Sequence, residues 1–154
     1  MPNVSLQTAT LLTGLSRRTL SRRITNGTLK SAQASKKDQY NITMISLDSI
    51  KNDIGIPLNP DDIELIKAAD AGKPEAQNDL GVLFLENNKP QSAICWLELA
   101  AKQDFVNAMH LLGNCYLKGN GLAKDNNLAI MWIAKAASLG HPIAIAQIRS
   151  IRPA

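Results

Sequence analysis

Four arginines stand close together near the start of this 154-residue sequence, in a stretch whose pattern predicts a short helix. They are Arg17, Arg18, Arg22 and Arg23. Leu20 and Ile24, four residues apart, form one apolar stripe along that helix. At about 100° per residue, Arg18 and Arg22 lie on the side opposite the stripe. Guanidinium groups placed in this way can pair with O6 and N7 of guanine in the major groove, or bind phosphates.

Both ends of this arginine helix carry sequence signals. Ser16 suits the N-cap position, where its hydroxyl accepts a hydrogen bond from a free N–H group of the first turn. Gly27 suits the left-handed C′ position, which disfavours residues with a Cβ atom. Ser21 borders the exposed face. For an isolated helix of this kind, a solvated arginine face without a partner is the alternative interpretation.

A second predicted helix precedes the arginine helix. Ser5 suits its N-cap, and the helix is expected to run from residue 6 to about residue 13. The turn at residues 14–16 is short, so the two helices should meet at a steep angle. This is the layout of a helix-turn-helix.

A β-hairpin is predicted after the arginine helix. Residues 29–34 and 40–45 lack a helical period, and the second of these segments alternates apolar and polar residues. The polar tip between them carries Lys36 and Lys37. A further helix is expected to begin after Ser46 and to end near residue 55.

Helix, turn, helix, basic hairpin and helix together resemble the excisionase-type branch of the MerR-like winged helix-turn-helix family. The residues that carry the resemblance are Ala9, Gly14-Leu15-Ser16, Thr19-Leu20, Ile24, Gly27, Leu29, Ser46-Leu47-Asp48 and Ile50. In that family the second helix enters the major groove and the hairpin, or wing, contacts the backbone or the minor groove. The resemblance implies base or phosphate contacts from Arg17, Arg18, Ser21 and Arg22, a phosphate contact from Arg23, and wing contacts from Lys36 and Lys37.

Two departures limit what this resemblance implies. Arg22-Arg23 stands where the MerR regulators have a tyrosine pair, and the long dimerising helix of those regulators is absent. Effector sensing of the MerR kind is therefore not implied. A winged fold kept only for contacts with proteins is the alternative interpretation of this head.

The basic residues are concentrated in the head. Residues 1–60 carry eight Lys or Arg and three acidic residues, whereas residues 61–154 carry nine and ten. The net charge of +4 thus comes from the N-terminal portion of the chain. Such asymmetry is typical of a polyanion-binding head followed by a nearly neutral body.

Cysteine usage and hydropathy bear on the compartment. Cys95 and Cys115 both fall within apolar helical patterns. No secretory leader opens the sequence, and no apolar run approaches the ~18–20 residues of a membrane span. We therefore expect a cytoplasmic protein with free buried thiols. A disulfide between the two cysteines is the minor alternative, because cytosolic disulfides are rare.

The body repeats itself after a proline-bounded linker at residues 56–60. Trp96 and Trp132 recur 36 residues apart, and Gly81 and Gly113 recur 32 residues apart. Spacings of this size predict a solenoid of paired helices. Small residues at matched positions would let the paired helices approach closely.

One stretch of the body carries a specific signature. Its residues are Leu112-Gly113, Tyr116, Lys118-Gly119, Gly121, Ala129, Trp132 and Lys135-Ala136-Ala137. This pattern closely resembles a Sel-one-like repeat, a relative of the tetratricopeptide repeat. The preceding repeat has Asp104 where glycine is usual. Residues 61–72 resemble the second half of a repeat, and residues 142–151 resemble the first half. The resemblance implies contact with other proteins through a concave face, and no catalysis.

The predicted last helix is rich in isoleucine. Its four isoleucines are Ile143, Ile145, Ile148 and Ile151. Part of this surface must cover the preceding helix, and the remainder could form the seam of a homodimer, because an uncapped solenoid end tends to associate. A plain capping helix is the alternative.

Residues that perform catalysis or bind metals form no cluster in the sequence. His110 and His141 are far apart and have no cysteine or carboxylate at ligand spacing, so we expect surface or loop histidines. Gly119 and Gly121 lack the Lys-Ser of a phosphate-binding loop. We expect no catalytic activity, no metal or other cofactor, and no small-molecule ligand.

The sequence thus predicts a mainly α protein. A small winged helix-turn-helix head with one β-hairpin occupies residues 1–55, a linker residues 56–60, and a short α-helical solenoid of Sel-one-like repeats residues 61–154. The leading hypothesis is a bacterial-type regulator of transcription that binds double-stranded DNA, with a body that dimerises or binds a partner protein. Two alternatives remain open, an excisionase-like factor that bends DNA for recombination and a protein–protein adaptor without DNA binding.

Overall fold

The computed structural model describes residues 1–33 and 43–151, which form mostly helices, as predicted. The chain divides into two compact units, Met1–Ala71 and Gly72–Ala154. The first unit contains β1 (Asn3–Ser5), α1 (Leu6–Thr13), α2 (Arg17–Thr25), β2 (Ser31–Gln33), β3 (Thr43–Ser46), α3 (Leu47–Ile54) and α4 (Pro60–Asp70). The second contains α5 (Pro74–Glu86), α6 (Pro90–Lys102), α7 (Val106–Lys118), α8 (Asn126–Ser138) and α9 (Pro142–Ile151).

The boundaries of α1 and α2 follow the predicted capping signals. The Ser5 side chain accepts from the N–H of Thr8, and Ser16 accepts from the N–H of Thr19. Gly14 ends α1 in the left-handed conformation, with φ +71°. Gly27 has φ +80° and follows the C-cap residue of α2. The two helices and the short turn between them are therefore confirmed.

The strands form an antiparallel sheet in the order β1-β3-β2. The pairing of β2 with β3 places Ala32 opposite Met44, which confirms that these two segments pair as the predicted hairpin would. Strand β1 was not predicted. Its Val4 is fully buried opposite Ile45. Residues 34–42, which include the predicted wing tip with Lys36 and Lys37, lie outside the described residues.

Helix α4 belongs to the first unit, whereas the sequence pattern assigned residue 61 onward to the repeats. The carboxylate of Asp70 accepts hydrogen bonds from the N–H and the hydroxyl of Ser5, at 3.1 and 2.7 Å. These bonds join the end of α4 to the start of α1. At its other end, α4 begins with a reciprocal capping box between Asn59 and Asp62.

The second unit is a succession of helices in which each packs against the next. Its core cluster includes Leu97, Met109, Leu112, Ile133 and Ala144, all almost fully buried. Three aromatic residues of this unit differ in burial. Trp96 is buried, whereas Tyr116 and Trp132 pack half-buried at the edge of the cluster.

Two glycines allow the paired helices to approach closely, as predicted. A Cβ atom added to Gly81 would lie 2.7 Å from side-chain atoms of Leu97 on α6. A Cβ atom added to Gly113 would lie 2.7 Å from Cγ1 of Ile133 on α8, and 3.2 Å from the carbonyl oxygen of Ala129. These distances are shorter than normal van der Waals contact. Each helix crossing therefore requires a residue without a side chain at this position.

The turn after α6 and the loop after α7 both contain residues with positive φ. Asp104, where the repeat pattern usually has glycine, adopts the left-handed region with φ +61°. Aspartate tolerates this region better than most residues with a Cβ atom. In the loop after α7, Gly121 has φ +83°, and a Cβ atom added there would lie 2.7 Å from the backbone of Pro90. The loop after α7 thus rests on the first residue of α6.

Candidate interaction surfaces

Helix α2 presents an exposed basic face in the first unit. Arg17, Arg18, Ser21 and Arg22 are all exposed, while Leu20 on the opposite side is fully buried. Ile24, the other residue of the predicted apolar stripe, is only half-buried. Within the described residues, Arg17, Arg18 and Arg22 form no ion pair. Their guanidinium groups are free to meet an external anion.

Arg23 differs from the other three arginines. Its Nη1 lies 3.0 Å from Oδ2 of Asp53 on α3, and both side chains are about one-third exposed. This ion pair holds the end of α2 against α3. It also partly neutralises the charge of Arg23, which the sequence predicted would contact a phosphate. A partly exposed pair of this kind contributes up to about 1 kcal/mol to stability. Its positional role follows from the geometry.

The isoleucines of α9 do not share one face. Ile143 and Ile151 are 59% and 50% exposed, whereas Ile145 is half-buried and Ile148 packs against the core cluster. Ala144 is the fully buried residue through which α9 enters the core. Of the four predicted interaction residues, only Ile143 and Ile151 are thus well placed to contact another molecule.

His110 is 7% exposed, so the prediction of a surface or loop histidine was wrong for this residue. Its ring stacks on that of His141, with centroids 4.2 Å apart. Its Nε2 lies 2.9 Å from Oε1 of Gln147 and 3.2 Å from Nδ2 of Asn114. Nε2 of Gln147 donates in turn to Oδ1 of Asn114 at 3.0 Å. These four side chains form a polar cluster that joins α7 to α9.

His141 also caps α9. Its Nδ1 accepts a hydrogen bond from the N–H of Ala144 at 3.2 Å, so the imidazole replaces the usual Ser or Asp of an N-cap. One signal in the sequence could have revealed this cluster: Asn114 lies four residues after His110 on an otherwise apolar helix, which places the two polar groups on one face.

Two segments of the second unit match a known family model. Residues 74–105 and 106–141 each match the model described as Sel1 repeat. The second unit carries Sel1 repeats. The first repeat consists of α5 and α6 with the following turn, and the second consists of α7 and α8 with their loop.

Several known proteins resemble part of this chain. The chain is 35% identical over 92 residues to DAP3-binding cell death enhancer 1 of Rattus norvegicus, a match that covers 58% of this chain and 18% of that protein. A protective antigen of uropathogenic Escherichia coli strains, whose crystal structure displays an SLR fold, is 34% identical with a TM-score of 0.54; the match covers 56% of this chain and 20% of that one. The Sel1 repeat protein from Oxalobacter formigenes is 31% identical with a TM-score of 0.50, over 56% and 43% of the two chains.

Helix α9 begins like the first helix of another Sel1 repeat but differs at the closest packing position. The 36-residue spacing that relates Ala144 to Ala108 also relates Arg149 to Gly113. A second helix packed as α8 packs on α7 would therefore meet an arginine instead of a glycine. Arg149 is exposed, so this face of α9 does not offer the same close approach.

The stability of the second unit should depend on pH through His110. Burial lowers the pKa of His110 below its usual value near 6.5, and the nearby His141 lowers it further against the opposing effect of the hydrogen bond with Gln147. The unfolded chain then binds more protons than the folded chain below about pH 6.5, so the free energy of unfolding should fall as the pH decreases through that range. We expect the amides of α9 to be less protected, relative to the exchange rate of an unstructured peptide at the same pH, at about pH 5.5 than at about pH 7.5.

The His110→Gln variant is the control for this pH effect, because it removes the titrating ring but keeps a polar side chain. It should flatten the pH dependence of the protection of α9 amides. An equal acid-induced loss of protection in the variant would show that another group controls the attachment of α9.

Other reactive groups suggest no chemistry. Within residues 1–33 and 43–151, no group of three His, Cys, Asp or Glu side chains could hold a metal ion. Both cysteines are free thiols; Cys115 is buried, but Cys95 is only half-buried. Burial raises the pKa of each thiol, so both remain protonated and poorly nucleophilic near neutral pH. In the described part of the chain, every helix falls short of the length and hydrophobicity that a membrane span requires.

Proposed function

We propose that the second unit binds a partner protein through its Sel1 repeats and performs no catalysis. One observation carries the proposal. Apart from Met1, the exposed large apolar side chains of the described residues all belong to the second unit: Leu117, Leu128, Ile130, Met131, Leu139, Ile143 and Ile151. Stacked helical repeats form extended surfaces that bind other proteins, and exposed apolar groups supply the binding energy.

The partner could be a second copy of this chain or a different protein, and one pair of variants tests both. Met131→Asp and Ile143→Asp place a charge on side chains that are 47% and 59% exposed, so the fold should be retained. Light scattering coupled to size-exclusion chromatography measures self-association, and quantitative mass spectrometry after affinity capture measures other partners. Ser150→Asp, at an exposed polar position of α9, is the matched control.

The proposal predicts that the wild type and Ser150→Asp form the same complex, and that Met131→Asp or Ile143→Asp weakens it. Each charge introduced at an apolar interface should reduce affinity by at least about tenfold, because burying an unpaired charge is strongly unfavourable. Identical masses and identical captured proteins for all four chains would contradict binding through the exposed apolar side chains of α8 and α9.

DNA binding by the first unit is a second candidate function. It is favoured by the exposed face of α2, where Arg17, Arg18 and Arg22 point outward without ion pairs among the described residues. The order of two capped helices, a strand pair and a third helix agrees with the winged helix-turn-helix resemblance, in which α2 would enter the major groove. Regulation of transcription and DNA bending for recombination are both compatible with such a head.

Removing Arg18 and Arg22 should strongly weaken DNA binding while leaving enough affinity at low salt to be measured. Each arginine that contacts a phosphate contributes about one unit to the slope of log affinity against log salt, so Arg18→Ala with Arg22→Ala should lower that slope by about two. Fluorescence anisotropy with a random DNA duplex at several salt concentrations measures the slope, and circular dichroism checks that helix content is unchanged.

Lys102→Ala with Arg149→Ala removes two exposed charges from the second unit and serves as the control. Its salt slope should equal that of the wild type. If the wild type has no salt-dependent affinity for DNA, the head does not bind DNA and the protein is an adaptor only. If the wild type does bind DNA, a bending assay on the bound DNA would distinguish a regulator from an architectural factor.

A further inference from the structure

A small groove lies in the Sel1 repeats between the end of α5 and the C-terminal half of α7. Its volume is about 150 Å³. It is lined by Leu85, Leu111, Asn114, Cys115, Lys118 and Asn120. The groove therefore belongs to both repeats, because Leu85 comes from the first and the remaining residues come from the second.

The lining combines apolar and polar side chains. Leu85, Leu111 and the thiol of Cys115 form the apolar part, and burial keeps that thiol neutral by raising its pKa. Asn114 is already held by the polar cluster that joins α7 to α9. Its orientation in the groove is thus fixed before any ligand arrives.

Lys118 supplies the single charge among the described residues of the lining. Its side chain is exposed at the end of α7, and it forms no ion pair with any described residue. Among the described residues, no acidic side chain lines the groove. The site therefore combines a small apolar space with an uncompensated positive charge at its edge, which complements a ligand with an apolar group beside a carboxylate.

We propose that this groove binds one leucine- or phenylalanine-sized side chain of a partner protein, with a neighbouring Asp or Glu of that partner paired to Lys118. An apolar cavity of about 150 Å³ is large enough to hold a benzene ring, so the groove accommodates a side chain of this size. The inference rests on the proposed binding of a partner protein and specifies the chemistry of one contact. The acidic residue beside the apolar side chain distinguishes this ligand from one that binds through hydrophobic contact alone.

Three blocked pentapeptides test the proposal with the full chain. The first is Ser-Asp-Leu-Asp-Ser, the second replaces its leucine by alanine, and the third replaces both aspartates by asparagine. Chemical shifts of backbone amides in labelled protein locate the binding site and give the dissociation constants. The first peptide should shift amides of residues lining the groove. The alanine peptide should bind at least about tenfold more weakly, since it lacks the buried apolar group.

The charge contact is tested by combining peptides with variants. Lys118→Gln should weaken binding of the aspartate peptide about two- to fivefold at low salt and leave binding of the asparagine peptide unchanged. Lys102→Gln removes the same charge from an exposed position that does not line the groove, and should have no effect. Leu111→Asn should weaken binding of both peptides, because it makes the half-buried wall of the groove polar.

Two results would overturn this assignment. One is an absence of shifts at the groove with the aspartate peptide, and the other is equal binding of the leucine and alanine peptides. Either result would leave the broader proposal intact if Met131→Asp or Ile143→Asp still disrupts a complex, because neither residue lines the groove. Conversely, loss of the complex only in Lys118→Gln and Leu111→Asn would place the partner at this groove rather than on α8 and α9.

Discussion

The Gly113→Val variant is expected to lose about 3 kcal/mol of unfolding free energy from the Sel1 repeats, near the upper end of typical overpacking effects. Its Cβ atom would lie 2.7 Å from Cγ1 of Ile133 and 3.2 Å from two backbone atoms of α8, the N of Ile133 and the O of Ala129. Backbone atoms cannot rotate away as the end of a side chain can. The paired helices α7 and α8 must therefore separate, which also loosens the packing of the surrounding core.

Urea denaturation followed by tryptophan fluorescence measures this effect selectively. Both tryptophans, Trp96 and Trp132, lie in the second unit, so the signal reports that unit rather than the whole chain. Ala146→Val on α9 is the control, since it adds a branched side chain at an exposed helical position. Its loss should be below about 1 kcal/mol, from helix propensity alone. A loss of similar size in both variants would show that α7 and α8 do not approach as closely as described.

The Trp96→Ala variant is expected to lose about 3–5 kcal/mol of stability, whereas Trp96→Phe should stay within about 1 kcal/mol of the wild type. Trp96 is 1% exposed, so alanine leaves a large cavity. Its indole N–H, however, has no hydrogen-bond partner among the described residues. Phenylalanine removes that unpaired donor while it retains most of the packing, and these two effects oppose each other.

Fluorescence of the remaining Trp132 reports unfolding of both variants. Leu97→Ala, at a fully buried position on the same helix, provides a reference for ordinary cavity formation at about 2–5 kcal/mol. If Trp96→Phe is as destabilising as Trp96→Ala, the indole N–H makes a favourable interaction, and its buried donor is paired in solution.

Local signals in the sequence predicted the helix boundaries well. Ser5 and Ser16 each accept the expected hydrogen bond from the first turn of a helix, because capping depends on residues only a few positions apart. The spacing of Gly81 and Gly113 predicted the close helix pairs, since each repeat needs a residue without a side chain where its two helices cross.

Features that depend on distant partners were missed. Strand β1 has three residues, which is too short for alternation to be visible, and it forms only by pairing with β3 about forty residues later. His110 became recognisable as a buried residue only when α9 placed His141 and Gln147 beside it. The same holds for the pairing of Arg23 with Asp53, which lies 30 residues away in sequence.

The candidate surfaces also differ in whether local sequence or distant contacts determine them. The outward face of α2 followed from helical periodicity, because a single helix with one buried stripe leaves its opposite side exposed. The four isoleucines of α9 did not follow, since their exposure depends on how α9 turns against the core. The groove beside Lys118 combines residues from two repeats, and no spacing within one repeat could have predicted it.

The contact of Gly121 with Pro90 bears on how the repeats come apart. Modules that touch only their neighbours through helix faces can unravel one by one from either end. Here the loop after α7, in the second repeat, packs against the backbone at the first residue of α6, in the first repeat. Unfolding either repeat therefore removes a contact that stabilises the other. We therefore expect the two Sel1 repeats to lose structure in a single cooperative step.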